Sequence, residues 1–242
     1  RKLWATGDVA AVAKGVLSVK DAEICAEAGI AGIVFFGWNA LAIMVTSVLS
    51  CVVSEYAFQR IAHKKILIGD WSAVVTGLLL AYNLPSTVPI WMPVVGGILA
   101  ILLIKQCFGG LGSNFLNPAL AARAVLFVSW GSLMGTYPSP STLDAVSSAT
   151  PLSGGSYSLM DLFLGNIPGV LGETCKLAII LGGVYMIVRG IIDWKVPVCI
   201  ILTTFVCYLL KDGVFEAFYQ VLSGSLLLGA FFMATDYVTC PV

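Results

Sequence analysis

Hydroxyl-bearing residues crowd one segment of this chain. The run Asp144-Ala145-Val146-Ser147-Ser148-Ala149-Thr150-Pro151-Leu152 offers hydroxyls at Ser147, Ser148 and Thr150 on a backbone of small residues. Ser148 and Ala149 leave room for a bulky group to approach the backbone closely. Pro151 biases Thr150 toward an extended conformation. The same composition also suits an ordinary polar loop.

Charges in apolar surroundings form a second set of candidates. Arg123 lies several residues into an apolar run, where a charge costs ~2.5–3.5 kcal/mol on insertion scales. Such a residue faces the interior of a bundle and takes a partner; Glu173, Asp236 and Asp70 are candidates. It reads equally as a ligand or ion contact and as half of a structural ion pair. Asp70, Ser72 and Thr76 open a short apolar segment, where Asp70 could cap a helix. The turn Gly109 to Asn114 suits close packing or a cofactor cradle. No strand precedes it, so the dinucleotide fingerprint does not apply. Glu173 and Thr174 lie near the outer start of another apolar run, where a Glu also complements a helix dipole. The seven Cys residues show no C-x-x-C pair, and His63 is the single His. Small buried hydrophobes describe most of these cysteines best.

The elements that must position these residues are apolar. Of 242 residues, 59% are hydrophobic and 11% charged, with mean hydropathy +0.97. An ordinary soluble domain carries about a quarter charged residues, so lipid is the main solvent. The formal net charge of zero leaves no basic face for nucleic acid. About eight stretches approach the length of a membrane-spanning helix, roughly 20 residues. They run from about Ile24 to Phe36, Ala40 to Tyr56, Ala73 to Leu84, Ile90 to Ile104, Pro118 to Leu133, Val170 to Val188, Val196 to Leu210 and Val221 to Ala234. Gly37-Trp38-Asn39 is the turn between the first two. The third is short and ends at Asn83-Leu84-Pro85, which predicts a broken or re-entrant helix. The expected fold is a single all-α polytopic membrane domain over residues 1–242. The chain begins without Met and stops just after a motif, which reads as part of a longer protein.

With a cytoplasmic N-terminus, alternating spans place Arg1, Lys2, Lys14, Lys20, Arg60, Lys64, Lys65, Lys105, Arg189 and Lys195 inside. That is ten of the 13 basic residues, as the positive-inside rule requires. Ala124 to Cys175 holds no Lys or Arg. The Ser/Gly/Pro-rich loop of residues 135–168 therefore falls on the extracytoplasmic side, and loops this long are often functional.

Several segments, in order, resemble the RnfD/NqrB family of membrane electron-transport proteins. They are Gly69 to Gly77, Gly109 to Asn114 with Asn117 to Arg123, Ser147-Ser148-Ala149-Thr150, Pro168 to Thr174, and Phe232 to Asp236. Pro151 and the overall length are similar to the RnfD branch. Residues 1 to about 30 are less uniformly apolar than the family's first helix. The resemblance implies about ten helices, with inverted repeats. It also implies FMN joined to Thr150 by a phosphoester, and a noncovalent riboflavin as a second flavin. It makes Ser147, Ser148, Glu173, Thr174, Arg123, Asn114, Asp70 and Thr76 candidate flavin contacts, and Lys176 a candidate counter-charge for the phosphate diester. The implied role is electron relay in a bacterial inner-membrane complex, the Rnf complex, that links ferredoxin and NAD to Na⁺ or H⁺ transport. Partners would be other Rnf subunits, including a second flavin-bearing one, and membrane lipid. The competing readings are a transporter or channel with Arg123, Glu173 and Asp236 along a solute path, and a passive anchor. No His-rich metal site and no local Cys motif is expected; the spacing leaves open a cluster assembled from separated cysteines.

Overall fold

A computed structural model describes residues 19–63, 69, 71–108, 114, 116–139, 142–147, 150–153, 157–173, 175–190 and 192–235. The helices are α1 (Val19–Ile61), α2 (Ser72–Tyr82), α3 (Trp91–Ile98, continued by a π-helical segment, Leu99–Gln106) and α4 (Pro118–Ser129). They continue as α5 (Gly131–Met134), α6 (Leu159–Leu164), α7 (Lys176–Val188), α8 (Lys195–Asp212), α9 (Val214–Leu222) and α10 (Leu226–Leu228, continued by a π-helical segment, Gly229–Met233). A short antiparallel ladder, β1 (Pro138–Ser139) with β2 (Thr142–Ser147), departs from helix in the first half of the polar loop.

Gly37 interrupts α1 with φ 67 and ψ −150. A Cβ at Gly29 would meet Met44 Sδ at 3.0 Å. A straight helix would hold two residues that far apart in sequence about 22 Å from each other. The chain therefore doubles back at Gly37, the hairpin turn expected there. Only glycine enters that backbone region at little cost.

The apolar stretch Gly32–Ile61, most of it the arm after the Gly37 turn, is long enough to cross a membrane. Val214–Leu222 with Leu226–Met233 passes the same test as a pair bent by 67°. Shorter apolar helices are Ser72–Tyr82, Trp91–Gln106, Pro118–Ser129 and Lys176–Val188. The eight expected stretches are thus present as helices, but several are cut short. The run expected from Val170 to Val188 begins its helix only at Lys176, and residues 165–173 are irregular. The run expected from Pro118 to Leu133 breaks at Trp130. Irregular backbone at membrane depth is tolerated where protein buries it, and Ile167 to Gly172 are buried.

The core gathers Ile43, Leu80, Leu84, Met92, Leu126 and their neighbours into one cluster. The outside is equally apolar: Val34, Trp38, Val53, Val128, Val188 and Leu210 are exposed. Apolar side chains on both faces fit a bundle solvated by lipid. Trp91 and Trp130 meet edge to face, 5.1 Å between centroids. They lie at the ends of α3 and α4 next to the polar loop, where interfacial aromatics belong.

Small residues set the closest approach. Ser47 donates to Gly77 O at 2.7 Å, and a Cβ on Gly77 would lie 2.7 Å from Val48 Cα. That neighbour is backbone and cannot rotate away. Gly77→Ala is expected to cost about 1–3 kcal/mol, read as a lowered unfolding temperature in detergent.

Candidate functional site

The hydroxyl-rich segment spans the end of β2 and the turn after it. Ser147 ends the strand, paired through its backbone with Pro138. Ser148 lies outside the described residues. Thr150 is half-buried, and Pro151–Ser153 forms a single 3₁₀ turn beginning with a buried Pro151. Leu152 then packs on the break between α9 and α10. A Cβ on Gly224 would meet Leu152 Cδ1 at 2.8 Å and Glu173 Oε1 at 3.6 Å. Gly224 has φ 64, so glycine is required there for conformation as well as space. The turn after Thr150 is therefore pinned to the bundle, close to Glu173.

Lys176 opens α7 and is completely buried. Its ammonium donates to Gly224 O at 2.8 Å and to the carbonyl of Glu173. Its described partners are thus backbone carbonyls, with no group of the loop among them. The ammonium is committed to two backbone carbonyls left open by the α9–α10 break and by the irregular segment before α7. The Glu173 carboxylate is 8% exposed and makes no ion pair within 4.0 Å among the described residues. Thr174 lies outside the described residues.

That irregular segment joins a second broken helix. Leu171 N donates to Leu84 O at 3.1 Å, and Gly172 N to Tyr82 O at 2.9 Å. A side chain at Gly172 would collide with Tyr82 Cβ. Beside this junction Asn83, fully buried, donates to Leu79 O at 2.7 Å and faces Met233 Sδ at 3.9 Å. Its Oδ1 accepts from Arg123 at 3.3 Å. Arg123 thus bonds an amide and not Glu173, one of its three candidate partners. Asp70 and Asp236, the other expected partners, lie outside the described residues. Asn83 was not expected as a partner, because nothing in its local sequence points across 40 residues to α4.

At the opposite end of the bundle, Asn114 is 3% exposed and neither atom of its amide has a hydrogen-bond partner among the described residues. A buried amide left open costs about 1–3 kcal/mol. Asn117, three residues on, caps α4 by accepting from Ala119 N and Leu120 N. Trp71, in the left-handed region with φ 59, holds the N-cap position of α2 and supplies no side-chain cap. Thr76 is buried and donates to Ser72 O at 2.8 Å, so its hydroxyl proton is already used within α2.

An unexpected cluster lies at this end too. Lys105 donates to Glu55 Oε2 at 2.9 Å and to Ser72 Oγ at 2.6 Å. Gln106 and Gln59 donate to Glu55 Oε1 at 2.9 and 3.3 Å. The pair's side chains are only 1% and 3% exposed. By sequence, Lys105 stands out merely as an inner positive charge. The criterion that singles out Arg123, a charge within an apolar run, applies equally to Lys105 and Glu55. No group of His, Cys, Asp and Glu that could hold a metal occurs among the described residues.

The apolar exterior, the interrupted helices and the charges buried at their breaks define an integral membrane bundle with discontinuous helices. Residues 22–242 match the NQR2, RnfD, RnfE family. The chain belongs to that family, as the ordered motifs implied. It is 47% identical to the D subunit of the Na(+)-translocating ferredoxin:NAD(+) oxidoreductase complex of Acetobacterium woodii, covering 88% of this chain and 69% of the relative. Identity is 38% to the D subunit of the proton-translocating ferredoxin:NAD(+) oxidoreductase complex of Clostridium ljungdahlii, over 89% and 72%. It is 37% to the D subunit of the ion-translocating oxidoreductase complex of Rhodobacter capsulatus, over 86% and 70%. These relatives are subunits of oxidoreductase complexes.

Proposed function

We propose that this chain is the membrane-embedded RnfD-type subunit of an ion-translocating ferredoxin:NAD⁺ oxidoreductase, and that it relays electrons through FMN esterified to Thr150. The observation carrying the flavin reading is the Ser147-to-Thr150 run in its setting. It leaves a strand end, exposes part of the Thr150 residue, and is anchored two residues later by Leu152 on Gly224. An isoalloxazine ring accepts and passes one or two electrons, and the protein's share is to hold and tune it. A phosphoester through the Thr150 oxygen keeps that group from diffusing away. The anchored turn limits how far it can swing. Glu173 and Leu152 both lie against Gly224, while Lys176 acts through the carbonyls it holds. On this reading Thr150→Val leaves the protein inserted but abolishes flavin fluorescence in its band on a denaturing gel. A fluorescent Thr150→Val band would end the assignment.

Asn114 supports a second, noncovalent flavin such as riboflavin at the other end of α4. Its open amide donor and acceptor match the alternating donors and acceptors on a flavin's pyrimidine edge. Asp70, two residues before α2, belongs by sequence to the same end of the bundle. Asn114→Leu is expected to lower the flavin released by acid extraction while keeping the covalent fluorescence. Equal release from both proteins would remove Asn114 from the site.

The protein would work with the other Rnf subunits, one of them a second flavin carrier, in a bacterial inner membrane. The loop of residues 135–168 would then face outward. A membrane-impermeant thiol reagent should reach Ser153→Cys from outside intact cells; modification only in inverted vesicles would reverse the orientation.

A further inference from the structure

Two tethered cations sit at the places where broken helices leave backbone groups open. Discontinuous helices in membranes commonly bind small cations through such unwound carbonyls. Here the carbonyls of Glu173 and Gly224 already accept from Lys176. The polar contacts continue across the bundle. Leu171 and Gly172 bond the end of α2 at Leu84 and Tyr82, and the adjoining Asn83 accepts from Arg123. This seam holds the Lys176 ammonium, the Arg123 guanidinium and one described carboxylate, Glu173. Neither cation forms an ion pair within 4.0 Å among the described residues. An entering metal cation would find the carbonyl site filled and would meet two fixed cations against the one described carboxylate.

We propose that this seam is an ion barrier: Lys176 and Arg123 act as built-in cations that close the broken-helix path to Na⁺ and protons. The ion moved by the complex then takes a route outside the seam. The chemistry is that of pores that exclude cations with a fixed arginine. It sets aside the reading in which Arg123 and Glu173 line an open solute path. It rests on the membrane fold and not on a flavin at Thr150, so either proposal can fail alone.

Liposomes holding the full wild-type chain, loaded with a Na⁺-sensitive or a pH-sensitive dye, test it. They are expected to be as tight to both ions as protein-free liposomes. Arg123→Gln and Lys176→Met, once shown monodisperse in detergent, should raise the leak by about tenfold or more, the scale on which one charge in an apolar setting acts. Arg123→Lys keeps the charge and should stay tight. Wild-type liposomes that conduct either ion would overturn the barrier, as would folded charge-free variants as tight as wild type. Should Lys176→Met fail to fold, Arg123→Gln and the wild-type flux decide between these outcomes.

Discussion

Lys105→Met is expected to destabilise the protein by about 3–5 kcal/mol, because it strands the Glu55 carboxylate in an apolar interior. Lys105, Glu55, Ser72, Gln106 and Gln59 are drawn from α1, α2 and the π-helical segment after α3, so their hydrogen bonds tie three elements together. Removing the ammonium leaves Glu55 with two neutral amide donors and no counter-charge. Thermal unfolding in detergent should show a large drop in midpoint, with insertion into the membrane retained. The double variant Lys105→Met with Glu55→Leu should recover much of the loss, since replacing both members of a buried pair with apolar groups is often close to neutral. A single variant as stable as wild type would mean that the carboxylate reaches water or carries its own proton. The expected loss exceeds that for Gly77→Ala, where only packing between α1 and α2 is disturbed.

Thr150→Val carries the largest functional effect expected. Valine keeps the β-branched shape and the extended backbone that Pro151 favours, but has no oxygen to esterify. Electron transfer from reduced ferredoxin to NAD⁺ in the assembled complex should fall below detection, with the variant chain still present at normal abundance. Thr150→Ser supplies the oxygen and tests whether the attaching chemistry needs the methyl group. A Thr150→Val complex with wild-type turnover would remove this residue from the electron path.

Hydropathy made the helices legible because lipid selects apolar runs directly, and the Gly37 turn was legible because Gly37-Trp38-Asn39, with its glycine and amide, interrupts one such run. The interruption at Asn83-Leu84-Pro85 likewise marked the end of α2. Where α7 begins was not legible. Val170 and Leu171 are as apolar as helix residues, and it is the long-range bonds of Leu171 and Gly172 to Leu84 and Tyr82 that show this stretch to be irregular backbone. Arg123 could be recognised as a charge in need of a partner, yet its partner Asn83 is a neutral residue at the end of another helix. Lys176 looks like a charge available to a phosphate, because spacing cannot reveal that Gly224, 48 residues on, offers it a carbonyl. Asn114 was a candidate from its Gly-rich turn and the family likeness; its unmet amide becomes visible only once the surrounding helices are packed. The motif at Thr150 was legible through family likeness, while its anchoring by Leu152 on Gly224 belongs to the fold.

Proteolysis of the purified protein followed by mass spectrometry of the peptide containing Thr150 tests the central proposal most directly. The account predicts a peptide heavier than its sequence mass by FMN less one water, with fragmentation placing the addition on Thr150. An unmodified Thr150 peptide, recovered from a complex that is active and retains its flavin, would contradict it.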